Sequence, residues 1–309
     1  MNDHRFKILL CIDGSEESHR GLSYAVKVSR GNDADITLLY VRPVDKTGRS
    51  AGLDMRVARE NMLEWGLELP GMDILEREHQ ALIKMGYMDD DWKFETVHRE
   101  VMGDPLGDNM VVYTSAAGES IILKLMVSPT IARGILDECE MNEYDLTILA
   151  MSDEDEKARH SINWGVTRAV VSEHRGTVLL ARDIQENHGH LICVNQDEKS
   201  IEAARKDAIM ASRCECPVHL LSVAATEDEV PVAETAITWA RSAINKAGVE
   251  VVDSTVAVGD PIEQIIEHGK PYSVIVLADT HVKGLRRIFQ TSVAYEVLQK
   301  AYNSVMIVR

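Results

Sequence analysis

The chain carries one short sequence pattern twice, in a single register. Residues 8–15, Ile-Leu-Leu-Cys11-Ile12-Asp13-Gly14-Ser15, stand against residues 190–197, His-Leu-Ile-Cys193-Val194-Asn195-Gln196-Asp197, at an offset of 182 (193 − 11). The next matching pair, Leu38-Leu39-Tyr40-Val41 and Leu220-Leu221-Ser222-Val223, keeps that offset (223 − 41). A gap-free register over more than thirty residues points to two copies of one building block. The copies also share their ends: Ile148-Leu149-Ala150 matches Val276-Leu277-Ala278, and Val178–Arg182 matches Val305–Arg309. The extra length of the first copy therefore falls between residues 42 and 145.

Strands and helices alternate within each copy, which sets a parallel sheet with helices on both faces. Lys7–Ile12 is an apolar run ending in Asp-Gly-Ser, a buried strand followed by a helix start. Ser15–Arg30 then places Leu22, Ala25 and Val26 on one helix face. Further strands are expected at Ile36–Val41, Lys93–Met102, Leu146–Met151 and Thr177–Arg182, and helices within 53–86 and at Pro129–Glu140 and Gly165–His174. After Gly103-Asp104-Pro105, Met110–Thr114, a Ser-Ala-Ala-Gly-Glu turn and Ser120–Val127 predict a β-hairpin. This insertion around 108–127 would extend a sheet edge, cover a site or pair with a second chain. The second copy is more compact, with strands at 190–195, 218–223, 249–258, 273–278 and 304–309. Its helices are expected at 198–212, 230–247, 262–269 and 292–302. The fold class is α/β: two tandem doubly wound, Rossmann-like parallel-sheet domains, 1–184 and 188–309, joined by a short polar linker, with a hairpin inserted in the first.

The bulk properties narrow the partners. A length of 309 residues suits two domains. A formal net charge of −17 repels phosphate backbones and anionic lipid heads, which argues against nucleic-acid and membrane partners. There is no apolar span of transmembrane length and no signal-like core, so a cytoplasmic protein is expected. Five cysteines, at 11, 139, 193, 214 and 216, are too few and of the wrong parity for a disulfide framework. An internal pseudo-dimer is implied, with a homodimer and an unidentified protein partner as further associations.

The chain resembles a tandem universal stress protein. The residues that carry the resemblance are Cys11-Ile12-Asp13-Gly14-Ser15, Leu39-Tyr40-Val41-Arg42-Pro43, Gly259-Asp260-Pro261 and the tail from Gly284 through Thr291-Ser292-Val293-Ala294 to Arg309. The resemblance implies a five-stranded parallel sheet between helices and pairing through the last strands. In some members it implies ATP held by an Asp after strand one, a backbone contact at the end of strand two and a glycine motif. That motif is Gly, two residues, Gly, nine residues, then Gly-Ser or Gly-Thr. Its glycines would let amides approach phosphate, and its last hydroxyl residue would cap a helix whose N-terminus favours anions.

In this chain the motif is eroded. Counting back from Thr291-Ser292 puts Ala278 and His281 at the early glycine positions. In the first copy, a count anchored on Gly165-Val166 or Trp164-Gly165 reaches Ser152 and Asp155, or their neighbours, beside Glu154 and Glu156. Those acids would repel a triphosphate. The candidate nucleotide contacts are Asp13, Gly14, Ser15 and Val41 in the first copy, and Asn195, Val223, Ala278, His281, Arg286, Thr291 and Ser292 in the second, with Lys283 and Arg287 as added cations. The plainer readings are that Asp13 caps the next helix and that the tail is a capped helix beside a solvated basic loop.

Cys214-Glu-Cys216-Pro-Val-His219 suggests a soft-metal or redox cluster, against a simpler loop and core role. Cys11 and Cys193 read as core thiols, Asp89–Asp91 and Asp153–Glu156 as solvated loops, and His188 and His190 as incidental. No catalytic constellation stands out, and no metal site or certain cofactor is assigned. The expected function is a regulatory stress-response protein with degenerate nucleotide motifs, acting by interaction or sensing and not as an enzyme. The alternative is a module that binds ATP or another adenine nucleotide in at least one copy and hydrolyses it slowly.

Overall fold

The computed structural model describes residues 5–44, 71–89, 91–101, 104–150, 162–182, 188–279 and 293–309. By contacts the chain divides into two compact units, with the sequence break near 174/175. In the first unit the strand order is β6-β1-β2-β5-β4-β3, where β1 is Phe6–Cys11, β2 Ala34–Pro43, β3 Lys93–Val101, β4 Asp104–Thr114, β5 Ser120–Ser128 and β6 Leu146–Ala150. Strands β6, β1, β2 and β5 run parallel, and β4 and β3 continue the sheet antiparallel. The helices are α1 (Glu16–Asn32), α2 (Met72–Lys84), α3 (Ile131–Met141) and α4 (Ile162–Glu173).

β1 lies between two neighbours, and Ile8, Leu9 and Leu10 are fully buried, which is why a six-residue run with little alternation forms it. α1 buries Leu22, Ala25 and Val26 as the periodicity implies. Its second residue, Glu17, is buried as well.

The added strands of the first copy lie between residues 42 and 145 as expected, but the hairpin is placed differently in the sheet. β4 and β5 do form a hairpin, but β5 is the parallel neighbour of β2 and so occupies the third position of the core sheet. Its run Ile121–Val127 is largely buried. Strand Lys93–Val101, read from sequence as that third strand, lies at the sheet edge with Phe94 and Val97 exposed. Asp104 and Pro105 begin β4, and the helix that follows the third strand is α3, capped by Thr130. The reason is burial. A strand covered on both faces needs the apolar sequence of β5, whereas the charge-bearing Lys93–Val101 is tolerated only at an edge. Of the helical stretch expected at 53–86, only α2 lies within the described residues.

The second unit has strand order β10-β9-β8-β11-β12-β7, with β7 Thr177–Ala181, β8 His190–Cys193, β9 Val218–Ala224, β10 Asp253–Val258, β11 Val274–Ala278 and β12 Ser304–Val308. All pairs are parallel except β12 with β7. Its helices are α5 (Glu198–Arg213), α6 (Val230–Lys246), α7 (Pro261–Gly269) and α8 (Val293–Lys300). β7 closes the first repeat in sequence yet belongs to this unit, where buried Arg182 donates to the Leu298 carbonyl at 2.7 Å and to the Ala301 carbonyl. Those are carbonyls at the end of α8, which a cation suits.

The sequence offset reappears in the pairing. Ile8 is in register with Ile36 and His190 with Val218, each partner shifted by 182 (190 − 8; 218 − 36). One pair of positions differs in kind. Ile8 and Ala25 are apolar in the first unit, while their counterparts His190 and Asp207 face each other with Nδ1 to Oδ2 at 2.9 Å, both essentially inaccessible. His190, read from sequence as incidental, is thus half of a buried pair. Burial alone would lower its pKa, but the Asp207 carboxylate, by charge and hydrogen bond, and a further contact with Cys216 raise it from 6.5 to about 10.

Replacing Asp207 with Ala leaves the imidazole without its counter-charge and is expected to lower the unfolding free energy by about 3–5 kcal/mol, read by urea unfolding. Because the folded pKa of His190 is raised, its contribution is complete below pH 6.5 and lost as pH rises through about 10. The stability gap between the native protein and Asp207→Asn should therefore narrow over that interval.

Candidate functional site

In each unit the chain leaves the first strand, crosses to one side of it through β2 or β9, and later returns to the other side as β6 or β11. This reversal places a crevice outside the carboxyl end of the first strand, the usual ligand position in doubly wound sheets. Asp13, Gly14 and Ser15 line it in the first unit, between β1 and α1. The amide of Ile12 donates to Leu39 O at 3.0 Å and brings this loop to the end of β2, where Val41 is buried. Strand alternation turns the peptide groups of Val41 the same way as those of Leu39, past the end of β1.

The Asp13 carboxylate is already engaged. Its Oδ1 accepts from the Ser15 amide at 2.9 Å, the Ser15 hydroxyl at 2.5 Å and the Ser18 hydroxyl at 2.8 Å. The Asp13 amide donates to Ser18 Oγ at 3.0 Å. The N-cap of α1 is Ser15, not Asp13, so the capping expected of Asp13 is indirect. Gly14 has φ +87°, and a Cβ there would lie 3.0 Å from Arg77 Nη2 and Ile74 Cδ1 of α2. The glycine is thus fixed by backbone conformation and by a covering helix.

The second unit rebuilds the same loop one for one. Val194 N donates to Leu221 O at 2.8 Å, Asn195 N to Ser200 Oγ at 3.1 Å, and Asp197 N to Asn195 Oδ1 at 2.9 Å. Each atom pair is the first-unit pair advanced by 182 (200 − 18; 221 − 39). Ser18 and Ser200 thus complete both loops. Sequence reasoning passed over them, although their shared offset was the available signal. The chemistry differs at the cap: Ser15 becomes Asp197, whose carboxylate takes the Lys199 amide at 2.9 Å. α7 begins likewise, with Asp260 Oδ1 accepting from the Ile262 and Glu263 amides at 3.0 Å each. Carboxylates therefore occupy helix donors that would otherwise attract an anion.

Beside Asn195 lies a shallow cavity of about 560 Å³ lined by Gln196, Glu198, Ile201, Glu202 and half-exposed Trp239. Glu202 is held ionised, first by its hydrogen bonds from Arg205 and also by that residue's charge. Ala278 ends β11 on the far side of β8, and the next residue, Asp279, pairs with Arg309 at 2.5 Å. Asp279 and Arg309 are crevice residues that no local sequence pattern marked. Val223 holds in β9 the place that Val41 holds in β2. The expected contacts His281, Arg286, Thr291 and Ser292, with Lys283 and Arg287, lie outside the described residues, as do Ser152 and Asp155.

The other candidates resolve simply. Burial pushes the Cys193 thiol up to about 12 and that of Cys11 well above its ordinary value, so both are unreactive core thiols. His219 and Tyr272 meet as tilted rings with centroids 4.8 Å apart, and the imidazole whose pKa Cys216 helps raise is that of His190. All five cysteines are free thiols. Among the described residues, no group of three or more His, Cys, Asp or Glu side chains could hold a metal ion, and no helix is long and apolar enough to cross a membrane.

These features define a doubly wound α/β protein with a crevice at each strand-order reversal. Residues 4–182 match the universal stress protein family, and the chain belongs to that family. A universal stress protein from Archaeoglobus fulgidus DSM 4304 has the same fold, with a TM-score of 0.66 at 15% identity over 98% of each chain. A candidate universal stress protein from Pseudomonas aeruginosa UCBPP-PA14 gives 0.61 at 14% identity over 98% of this chain and 92% of that one. Among curated protein sequences, none matches the chain.

Ser18→Ala removes a donor from Asp13 Oδ1 and the acceptor of the Asp13 amide at a fully buried position. It is expected to cost about 1–2 kcal/mol. Ser200→Ala should cost a similar amount in the second unit, and paired thermal and urea melts check both.

Proposed function

We propose that the chain is a tandem universal stress protein, with residues 188–309 forming a second domain of the family. In this reading it is a cytoplasmic regulator that works through a protein partner or self-association and turns over no substrate. Support for the second domain comes from the loop hydrogen bonds that recur at the 182-residue offset. One observation carries the functional reading: the polar groups at the strand ends satisfy one another. Asp13 Oδ1 is engaged by Ser15 and Ser18, and the helix starts at Asp197 and Asp260 are closed by carboxylates. A triphosphate would have to displace these bonds beside Glu198 and Glu202, and the crevice cation Arg309 is already paired with Asp279.

The test is a thermal melt with millimolar ATP and Mg²⁺, alongside an assay for released phosphate. The expected outcome is an unchanged midpoint and no phosphate. A nucleotide present at 100 times its Kd would add about 2.7 kcal/mol of stability. A rise of several degrees would instead establish the adenine-nucleotide alternative, and steady phosphate release would establish slow hydrolysis.

A further inference from the structure

The first unit ends its sheet on β3, and that strand is open to solvent along its regular length. Among the described residues β3 pairs with β4 alone, and residues 93–99 are all exposed. Phe94 is 64% exposed and Val97 47%. Alternation puts Lys93, Glu95, Val97 and Arg99 on one face of the strand and Phe94, Thr96 and His98 on the other. The second face is the α2 side, where Phe94 meets Tyr113 and Tyr113 stacks on His79. On the first face Arg99 stands opposite Asp108, but the Asp108 carboxylate is turned to the Val127 amide at 2.8 Å. The irregularity in the β3–β4 ladder falls between Arg99 and Val101, outside the 93–99 stretch. A bare edge with exposed apolar side chains is a template for another strand.

The sequence of β3 fits it to a second copy of itself. A copy added antiparallel is related by a two-fold axis normal to the sheet. Such an axis keeps every side chain on its own face, so it passes through a residue and not between two. With the axis at Val97, facing residues have numbers summing to 194 (97 + 97; 95 + 99). Glu95 then faces the partner's Arg99, Arg99 faces the partner's Glu95, and Thr96 faces the partner's His98. Two opposite-charge pairs flank the contact between the two Val97 side chains, all on one face. The neighbouring axes fail: at Glu95 two carboxylates face each other, and at Thr96 Lys93 faces Arg99. Charge favours the same segment. A net charge of −17 makes two chains repel, whereas residues 93–99 carry two cations, Lys93 and Arg99, against one acid, Glu95. β10, the open edge of the second unit, has Asp253 as its one charged residue and offers no such pairing. The last strand, β12, has both sides taken, by β11 and β7.

We infer that the protein forms an isologous dimer through β3, antiparallel and centred on Val97, with Glu95 and Arg99 of each copy paired across the axis. The inference specifies the self-association named in the proposed function and rests on that part of it. Main-chain hydrogen bonds along the open side of β3 supply the affinity. The two charge pairs fix the register and reject a shifted one.

The test is sedimentation of the whole protein over a concentration series, with the two charges exchanged. Glu95→Arg alone and Arg99→Glu alone each turn both cross-axis pairs into like charges, and each should weaken dimerisation about tenfold. The two substitutions together restore opposite charges in the same register and should return the dimer to within about threefold of the unmodified protein. Crosslinking gives an independent reading. In an antiparallel pair the two residues at the axis have Cα atoms about 4.5–5.5 Å apart, inside the disulfide range of about 4.4–6.8 Å, so oxidised Val97→Cys should yield a covalent dimer. Glu95→Cys lies about 13 Å along the strand from its counterpart and should give no more than the unmodified protein. A protein that sediments as a monomer up to millimolar concentration overturns the interface, and self-association with it. A dimer indifferent to the single reversals, weakened by them but not restored by the double exchange, or crosslinked equally from both positions overturns the register and leaves self-association standing. If a charge variant loses its circular-dichroism signature of folding, the two crosslinking variants decide the matter.

Discussion

Each unit is organised around a strand that has no solvent-facing side. β1 and β8 are both central, flanked by parallel neighbours, and their buried side chains are apolar but for His190, which needs the Asp207 counter-charge. The polar backbone groups of the chain can then leave the sheet only at its ends. At the carboxyl end, the first residue past the ladder donates to the neighbouring strand, as Ile12 does to Leu39 and Val194 to Leu221. The following helix must find acceptors for its unpaired amides within three or four residues. Asp13, Ser15 and Ser18, and their counterparts Asn195, Asp197 and Ser200, meet that need. The loop geometry is in this sense a consequence of burying the strand.

Much of the architecture was legible because a repeated register is a long-range signal carried in local sequence. The offset between Cys11 and Cys193 anticipated the identical pairing of both units. Strand β5 was misplaced because an apolar run of alternating appearance fits a hairpin arm and a core strand equally well by itself. Only the identity of its neighbour β2 distinguishes them. The crevice was partly visible through Asp13 and Asn195. Asp279 and Arg309 were not, because a pair thirty residues apart depends on two strands lying side by side. The cysteine cluster shows the same limit. Sequence proximity linked Cys216 to His219, whereas the sheet delivers His190 from the strand before α5.

The two copies have kept their backbone and diverged in what it carries. Gly14, with its positive φ, becomes Gln196, whose side-chain amide reaches Val232 O at 3.2 Å. A serine cap becomes an aspartate, and an apolar corner becomes a buried His190–Asp207 pair. Such changes leave the ladder intact because each falls at a side chain and not at a peptide group.

The placement of β7 governs how this protein can be dissected. A fragment starting at residue 188 would lack the strand that hydrogen-bonds Val305, Met306 and Ile307. It would expose β12 as a bare apolar edge, ready to recruit a foreign strand. It would also lose the guanidinium of Arg182 from the closing turn of α8. A fragment starting at residue 175 keeps both. By contacts β7 groups with the second unit, although the family match runs through residue 182.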